Sequence, residues 1–194
     1  MKAATTCIQL AACALLIGLS ACSSPMAETA EYPVSDQPTA GATADSGKSV
    51  MLEFKSEIAA PVVKVWDTMF APDTYTKWTS AFMPGSYFEG SWSEGSRIHF
   101  LAPGGDGMVS EIAVNRPREY LSIKHLGYVQ DGVEDTTSDA VRSWAPSYEN
   151  YRFKTIPGGT LVTVEQEVPT EYADSMTETW PAALAMLKSL CEAD

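Results

Sequence analysis

Between residues 86 and 168 the chain carries six strand-length runs: Ser86–Ser91, Ser96–Leu101, Met108–Asn115, Tyr120–Tyr128, Tyr148–Ile156 and Thr160–Val168. Their apolar residues tend to alternate with polar ones, the period of a half-buried strand. Four of the five breaks between them are short and built from turn residues: Glu94-Gly95, Pro103-Gly104-Gly105, Arg116-Pro117 and Pro157-Gly158-Gly159. A parallel pair needs a crossover of roughly a dozen residues or more. Breaks this short therefore imply antiparallel neighbours. The fifth break, Val129 to Ser147, is long, polar and acidic at first, and reads as one connection; ordered loops of that length are often lids.

The flanks complete the layout. Leu52, Phe54, Ser56 and Ile58 alternate with Glu53, Lys55 and Glu57, so Val50–Ile58 reads as a strand. Ala60-Pro61 opens a helix, with Pro at its first position. Val62, Val65, Trp66 and Met69 give that helix one apolar face. Pro72 to Trp78 reads as a second, short helix. Glu171 to Glu192 is the longest helical segment, with Met176, Trp180, Ala183, Leu184, Leu187, Leu190 and Cys191 at helical spacing. Pro181 is expected to kink it or mark a fresh start. Strand, helices, six strands, long helix: the order gives an α+β fold, one antiparallel sheet with an amphipathic helix laid across it.

The N-terminus is of another kind. One Lys at position 2 precedes an apolar run from Cys7 to Ala21, 15 residues long, short of the roughly 20 that span a bilayer. A basic start, an apolar stretch and small residues are the marks of an export signal. Leu19-Ser20-Ala21-Cys22 resembles the lipobox of bacterial lipoproteins. That resemblance implies cleavage before Cys22, a diacylglycerol on its thiol and usually an acylated amino group. The expected organisation is a signal peptide at 1–21, a lipidated tether at 22–48 and a domain at 49–194. Residues 23–48 are Ser, Ala, Thr, Pro, Gly and acid, too polar for a core. As a flexible coil they would reach on the order of 30 Å. The address implied is the cell envelope, facing the periplasm. Ser23 in place of Asp favours the outer membrane, by resemblance to enterobacterial lipoproteins.

Charge and cysteines bound the partners. The formal net charge is −12, and losing residues 1–21 removes one Lys and no acid. Such a surface disfavours nucleic acid and anionic membrane faces, so membrane contact is expected through lipid alone. Of four cysteines, Cys7 and Cys13 leave with the signal and Cys22 takes lipid. Cys191 is left alone, which excludes an internal disulfide and a thiolate metal cluster. Ala42-Thr-Ala-Asp-Ser-Gly47-Lys48-Ser49 fits a loose phosphate-loop pattern, but a linker precedes it and a strand follows. A phosphate site needs a strand before and a helix after, so no nucleotide site is read here, and no cofactor.

The order of elements resembles the helix-grip fold of the START-like superfamily: a curved antiparallel sheet wrapped around a long C-terminal helix. Particular residues narrow the resemblance to the family related to the activator of Hsp90 ATPase. They are Ile58-Ala-Ala-Pro61-Val-Val-Lys-Val65-Trp66-Asp67, Trp78, Phe82-Met-Pro84-Gly85-Ser86 and Gly90-Ser-Trp92-Ser-Glu-Gly95. Towards the end, Glu149-Asn-Tyr151, Gly159-Thr160 and Trp180-Pro-Ala-Ala-Leu184-Ala-Met-Leu187-Lys188 agree as well. The likeness covers 51 to 192. It implies a cavity between sheet and helix, which holds apolar ligands in many relatives and hosts chemistry in a few. The family has no universal catalytic signature to carry over. Partnership with Hsp90, a cytosolic machine, is not expected of an exported chain.

Several residues stand out as chemistry. His125 shares the inward side of its strand with Leu121 and Ile123. A lone polar group there can orient a ligand or act as a base, or it is simply paired, for instance with Glu149. Glu149, Tyr151 and Phe153 form the next inward row. Glu149 serves a ligand, or it bridges to Arg97, Arg142 or Arg152. His99 is expected to face water, so the histidines make no metal pair. Glu165 and Glu167 read as a solvated face. Trp78, Trp92, Trp144, Phe82 and Tyr87 lie in or near loops, where aromatics can roof a pocket; Trp92 reads as ordinary packing and Trp144 as part of a lid.

The expected function is that of a lipid-anchored exported protein binding a small hydrophobic or amphipathic molecule between sheet and helix. The expected lining is Trp78, Ile123, His125, Trp144, Glu149, Tyr151 and Leu184. Two other classes stay open: an enzyme using His125 and Glu149 on such a ligand, and an interaction module with no open cavity.

Overall fold

A computed structural model describes residues 49–193. The expected signal peptide, the expected lipidation at Cys22 and the expected tether through Lys48 lie outside the described residues. Twelve elements follow in order: β1 (Ser49–Ile58), α1 (Val62–Phe70), α2 (Pro72–Trp78), β2 (Tyr87–Gly90), β3 (Arg97–Leu101), β4 (Gly107–Arg116), β5 (Tyr120–Gln130), β6 (Val133–Asp135), α3 (Asp139–Arg142), β7 (Ser147–Ile156), β8 (Gly159–Pro169) and α4 (Ala173–Glu192). Single 3-10 turns follow α2 (Thr79–Ala81) and precede α4 (Thr170–Tyr172). The sheet runs β1-β8-β7-β5-β4-β3-β2, with β6 paired to β5, and its ladders are antiparallel. This is the expected α+β helix-grip layout.

The short breaks produce hairpins because each strand has one apolar side to bury and a turn that folds it back. β8 shows the pattern plainly: Val162, Val164 and Val168 are buried while Leu161, Glu165 and Glu167 are partly exposed. In α4, Met176, Trp180, Ala183, Leu184, Leu187 and Cys191 form one buried stripe. Each large apolar side chain so covered contributes about 1.5–3 kcal/mol, and that stripe seats α4 on the sheet. α1 and α2 close the same side. The Trp78 indole N–H donates to the Met69 carbonyl at 2.9 Å, tying α2 back onto α1.

Three features refine the sequence expectation. α4 runs as one helix from Ala173 to Glu192 through Pro181, which excludes the fresh start expected there as one of two outcomes. Pro181 is exposed, so the carbonyl left without its N–H partner can turn to water. The stretch from Val129 to Ser147 is more than one connection. It completes β5, adds β6 and the single-turn α3, and folds back on β5 where Gly127 allows it. A Cβ at Gly127 would fall 1.9 Å from the Asp135 carbonyl oxygen. Finally, irregularities between Val109/Ser110 and Ile112/Val114 break the β4–β5 register. Ser110 lies opposite His125 while Val109 lies opposite Gly127, which leaves Leu126 as an extra residue. Such a bulge bends the ladder and shifts which residues face inward. Beyond it Tyr128 packs with the main core, while Leu126 and Val129 join a second cluster around Val109.

Candidate functional site

A row of polar side chains crosses the inner side of the sheet. Pairing sets it up: Ser110 on β4 lies opposite His125 on β5, and Glu149 on β7 lies opposite Ile123 on β5 and Gln166 on β8. All four polar residues are buried, His125 to 1% exposure and Gln166 to 1%. His125 Nδ1 and Ser110 Oγ share a hydrogen bond of 2.9 Å. The Tyr151 hydroxyl donates to Glu149 Oε1, and Gln166 Nε2 donates to Glu149 Oε2 at 2.8 Å. From α4, the Trp180 indole N–H donates to Gln166 Oε1 at 2.8 Å. The chain of contacts thus runs from helix to sheet without a Lys or Arg.

One position in this network is open. His125 Nε2 is buried and has no hydrogen-bond partner. It lies 3.6 Å from Glu149 Oε2, which is beyond hydrogen-bond length. Beside it is a cavity of about 20 Å³, room for one water molecule. Twelve residues line it, and eight of them are aromatic. Trp78 and Trp180 stack at 6.3 Å between ring centroids, and Phe82 meets Trp180 edge-on at 4.9 Å. The Tyr151 phenol is pushed well above its ordinary range, first by burial and then by the Glu149 carboxylate. Tyr75, also in the lining, is raised by the same two causes. Both phenols therefore stay neutral across the physiological range, and the Tyr151 hydroxyl keeps the proton it donates to Glu149.

The lining expected from sequence is met at Trp78, Ile123, His125, Glu149 and Tyr151. Leu184 and Trp144 are not among the lining residues. Leu184 is buried at 3% in the α4 stripe. Trp144 is only partly buried and packs on Tyr128, with ring centroids 5.0 Å apart. Glu149 meets none of the three arginines considered for it. Arg97 pairs with Glu134, Arg142 with Asp139 and Arg152 with Glu165. His99 points away from the cavity and hydrogen-bonds Glu134 at 2.6 Å. Arg97 and His99 together hold the Glu134 carboxyl below its usual range. Trp92 packs among Phe70, Tyr75, Phe88 and Phe100 and also reaches the cavity.

Sequence reasoning passed over Gln166 and Trp180 as site residues. The signal for Gln166 was present: it is the polar member of an otherwise valine row. For Trp180, helical spacing marks a core position, and only the tertiary fold brings its N–H to Gln166. Among the described residues no group of three or more His, Cys, Asp or Glu is placed to hold a metal.

Comparison with known proteins agrees with this architecture. Three solved structures illustrate the match. A Mesorhizobium loti protein aligns at 19% identity and TM-score 0.54, over 74% of this chain and 96% of its own. CalU16 from Micromonospora echinospora aligns at 20% identity and TM-score 0.54, over 77% and 81%. The Aha1 dimer from Colwellia psychrerythraea aligns at 20% identity and TM-score 0.54, over 74% and 96%. Likeness at these identities is one of fold. Residues 59–192 match the family described as Activator of Hsp90 ATPase homolog 1-like protein, and the chain belongs to that family. No curated protein matches it.

Proposed function

We propose that this domain binds a small hydrophobic or amphipathic molecule between its sheet and α4, in an exported lipoprotein held to the membrane through Cys22. The observation that carries the binding reading is the open His125 Nε2. A buried polar atom without a partner is costly, and here it faces a cavity walled by aromatic rings. Ligand sites combine an apolar wall with a few convergent polar groups in this way. A space of about 20 Å³ admits only a water-sized group, so a larger ligand enters by displacing side chains. Phe82 suits that role, since it covers Trp180 from the loop after α2 and has no polar tie. The Leu19–Cys22 motif and the acidic composition support the anchor.

A second reading draws on the same small volume: a closed interaction module whose polar row is purely structural. Thermal melting separates the two. A ligand that binds only the folded state raises its stability by mass action. Lipid extract from the protein's own host is expected to raise the melting temperature, and His125→Ala to lose much of that rise while remaining folded. An equal rise in the variant would remove His125 from the site. No rise in either protein would favour the closed module.

A further inference from the structure

Among the twelve residues lining the cavity one carboxylate, Glu149, stands with no Lys or Arg, and this narrows the ligand. Its hydrogen-bond donors, the Tyr151 hydroxyl and the Gln166 amide, are neutral. A buried carboxylate needs compensation, and neutral donors supply only part of it. Eight aromatic residues surround the space, and a ring that turns its face to a ligand presents the negative side of its quadrupole. Rings of this kind around a carboxylate favour a cation. The gap is also of suitable size. A group seated beside His125 Nε2 and Glu149 Oε2, which lie 3.6 Å apart, can donate to both. When Ser110 Oγ accepts from His125 Nδ1–H, Nε2 is left as a bare acceptor.

We propose that the cavity selects ligands with a primary ammonium head, an alkyl- or arylalkylamine rather than a fatty acid or a phosphate-headed lipid. This rests on the ligand-binding reading above and names its ligand class. The ammonium donates to Glu149 Oε2 and His125 Nε2 and turns its third N–H toward the rings. The cavity of about 20 Å³ accommodates the head alone; the tail replaces Phe82 between α2 and α4. A carboxylate or phosphate head is disfavoured because it would face Glu149 with no Lys or Arg in the lining to offset it. The competing arrangement is a protonated His125 that balances Glu149 by itself, and it makes a neutral hydroxyl the preferred head.

Three probes sharing one tail decide between these: 2-phenylethylamine, 2-phenylethanol and phenylacetate, titrated at neutral pH into the purified protein by calorimetry and thermal melting. A charge-assisted hydrogen bond exceeds a neutral one. The amine is therefore expected to bind at least about tenfold more tightly than the alcohol, and the acid not at all. In Glu149→Gln that preference is expected to vanish. The ranking on wild-type protein decides the matter even if the variant fails to fold. A ranking led by the alcohol or the acid overturns the ammonium and leaves the cavity reading standing. Silence from all three probes, with a positive response to host lipid extract, overturns it equally. Silence to the extract as well removes the reading on which it rests.

Discussion

Trp180→Phe isolates the contact that joins α4 to the polar row. The substitution keeps a ring in the core, where Trp180 is 2% exposed and packs against Phe54, Phe82 and Tyr151. It removes the N–H that reaches Gln166 Oε1 at 2.8 Å. Gln166 is 1% exposed, so water cannot take over, and an orphaned acceptor costs about 1–3 kcal/mol. The smaller ring gives up a further two buried carbons, about 1–2 kcal/mol. The loss is then about 2–5 kcal/mol, a fall in Tm of roughly 6–15 °C for a domain of this size. Urea unfolding followed by circular dichroism gives the free energy directly. Gln166→Met completes a double-mutant cycle. Each single change orphans a partner of the same bond, so the double variant should lose about 1–3 kcal/mol less than the sum. Additivity within about 0.5 kcal/mol would refute the helix-to-sheet link.

Three further outcomes follow from the same structure. Leu187 has no exposure, so Leu187→Ala should cost about 2–5 kcal/mol; a near-neutral unfolding midpoint would show that α4 is not seated as described. Burial and Glu149 raise the Tyr75 and Tyr151 phenols above the unfolded value, about 10. Their contribution is therefore complete below about pH 10 and is lost as pH rises beyond it, where the unfolded chain releases protons that the fold retains. Burial also raises the Tyr128 phenol, so phenolate absorbance should show at least three tyrosines fewer than the total ionising before alkaline unfolding, and Tyr151→Phe should reduce the alkaline sensitivity. Cys22→Ser should leave an uncleaved precursor without lipid; a variant still cut and recovered in the lipid-modified fraction would contradict the anchor.

The fold was legible because its evidence is local. Alternation within each strand, Gly and Pro at the hairpin breaks and the apolar stripe from Met176 to Cys191 require no knowledge of distant contacts. Within the site, the inward positions of His125, Glu149 and Tyr151 came from the same two-residue period. What they touch did not. Glu149 meets Gln166 and Tyr151 rather than an arginine, because β7 and β8 pair in a register that periodicity leaves free. Trp144 was placed near the cavity on loop length alone, but β6 and α3 organise that segment and set its indole against Tyr128. The extra residue at Leu126 was equally hidden, since a bulge is a property of two strands together.

Native mass spectrometry of the mature protein purified from its own host, under conditions that keep non-covalent ligands bound, tests the central claim most directly. A molecule held between sheet and α4 predicts a second mass beyond that of the chain with its covalent modifications, lost on unfolding and depleted in His125→Ala. A single mass equal to that of the covalent chain, unchanged by added amines or lipid extract, would contradict ligand binding and leave the closed module.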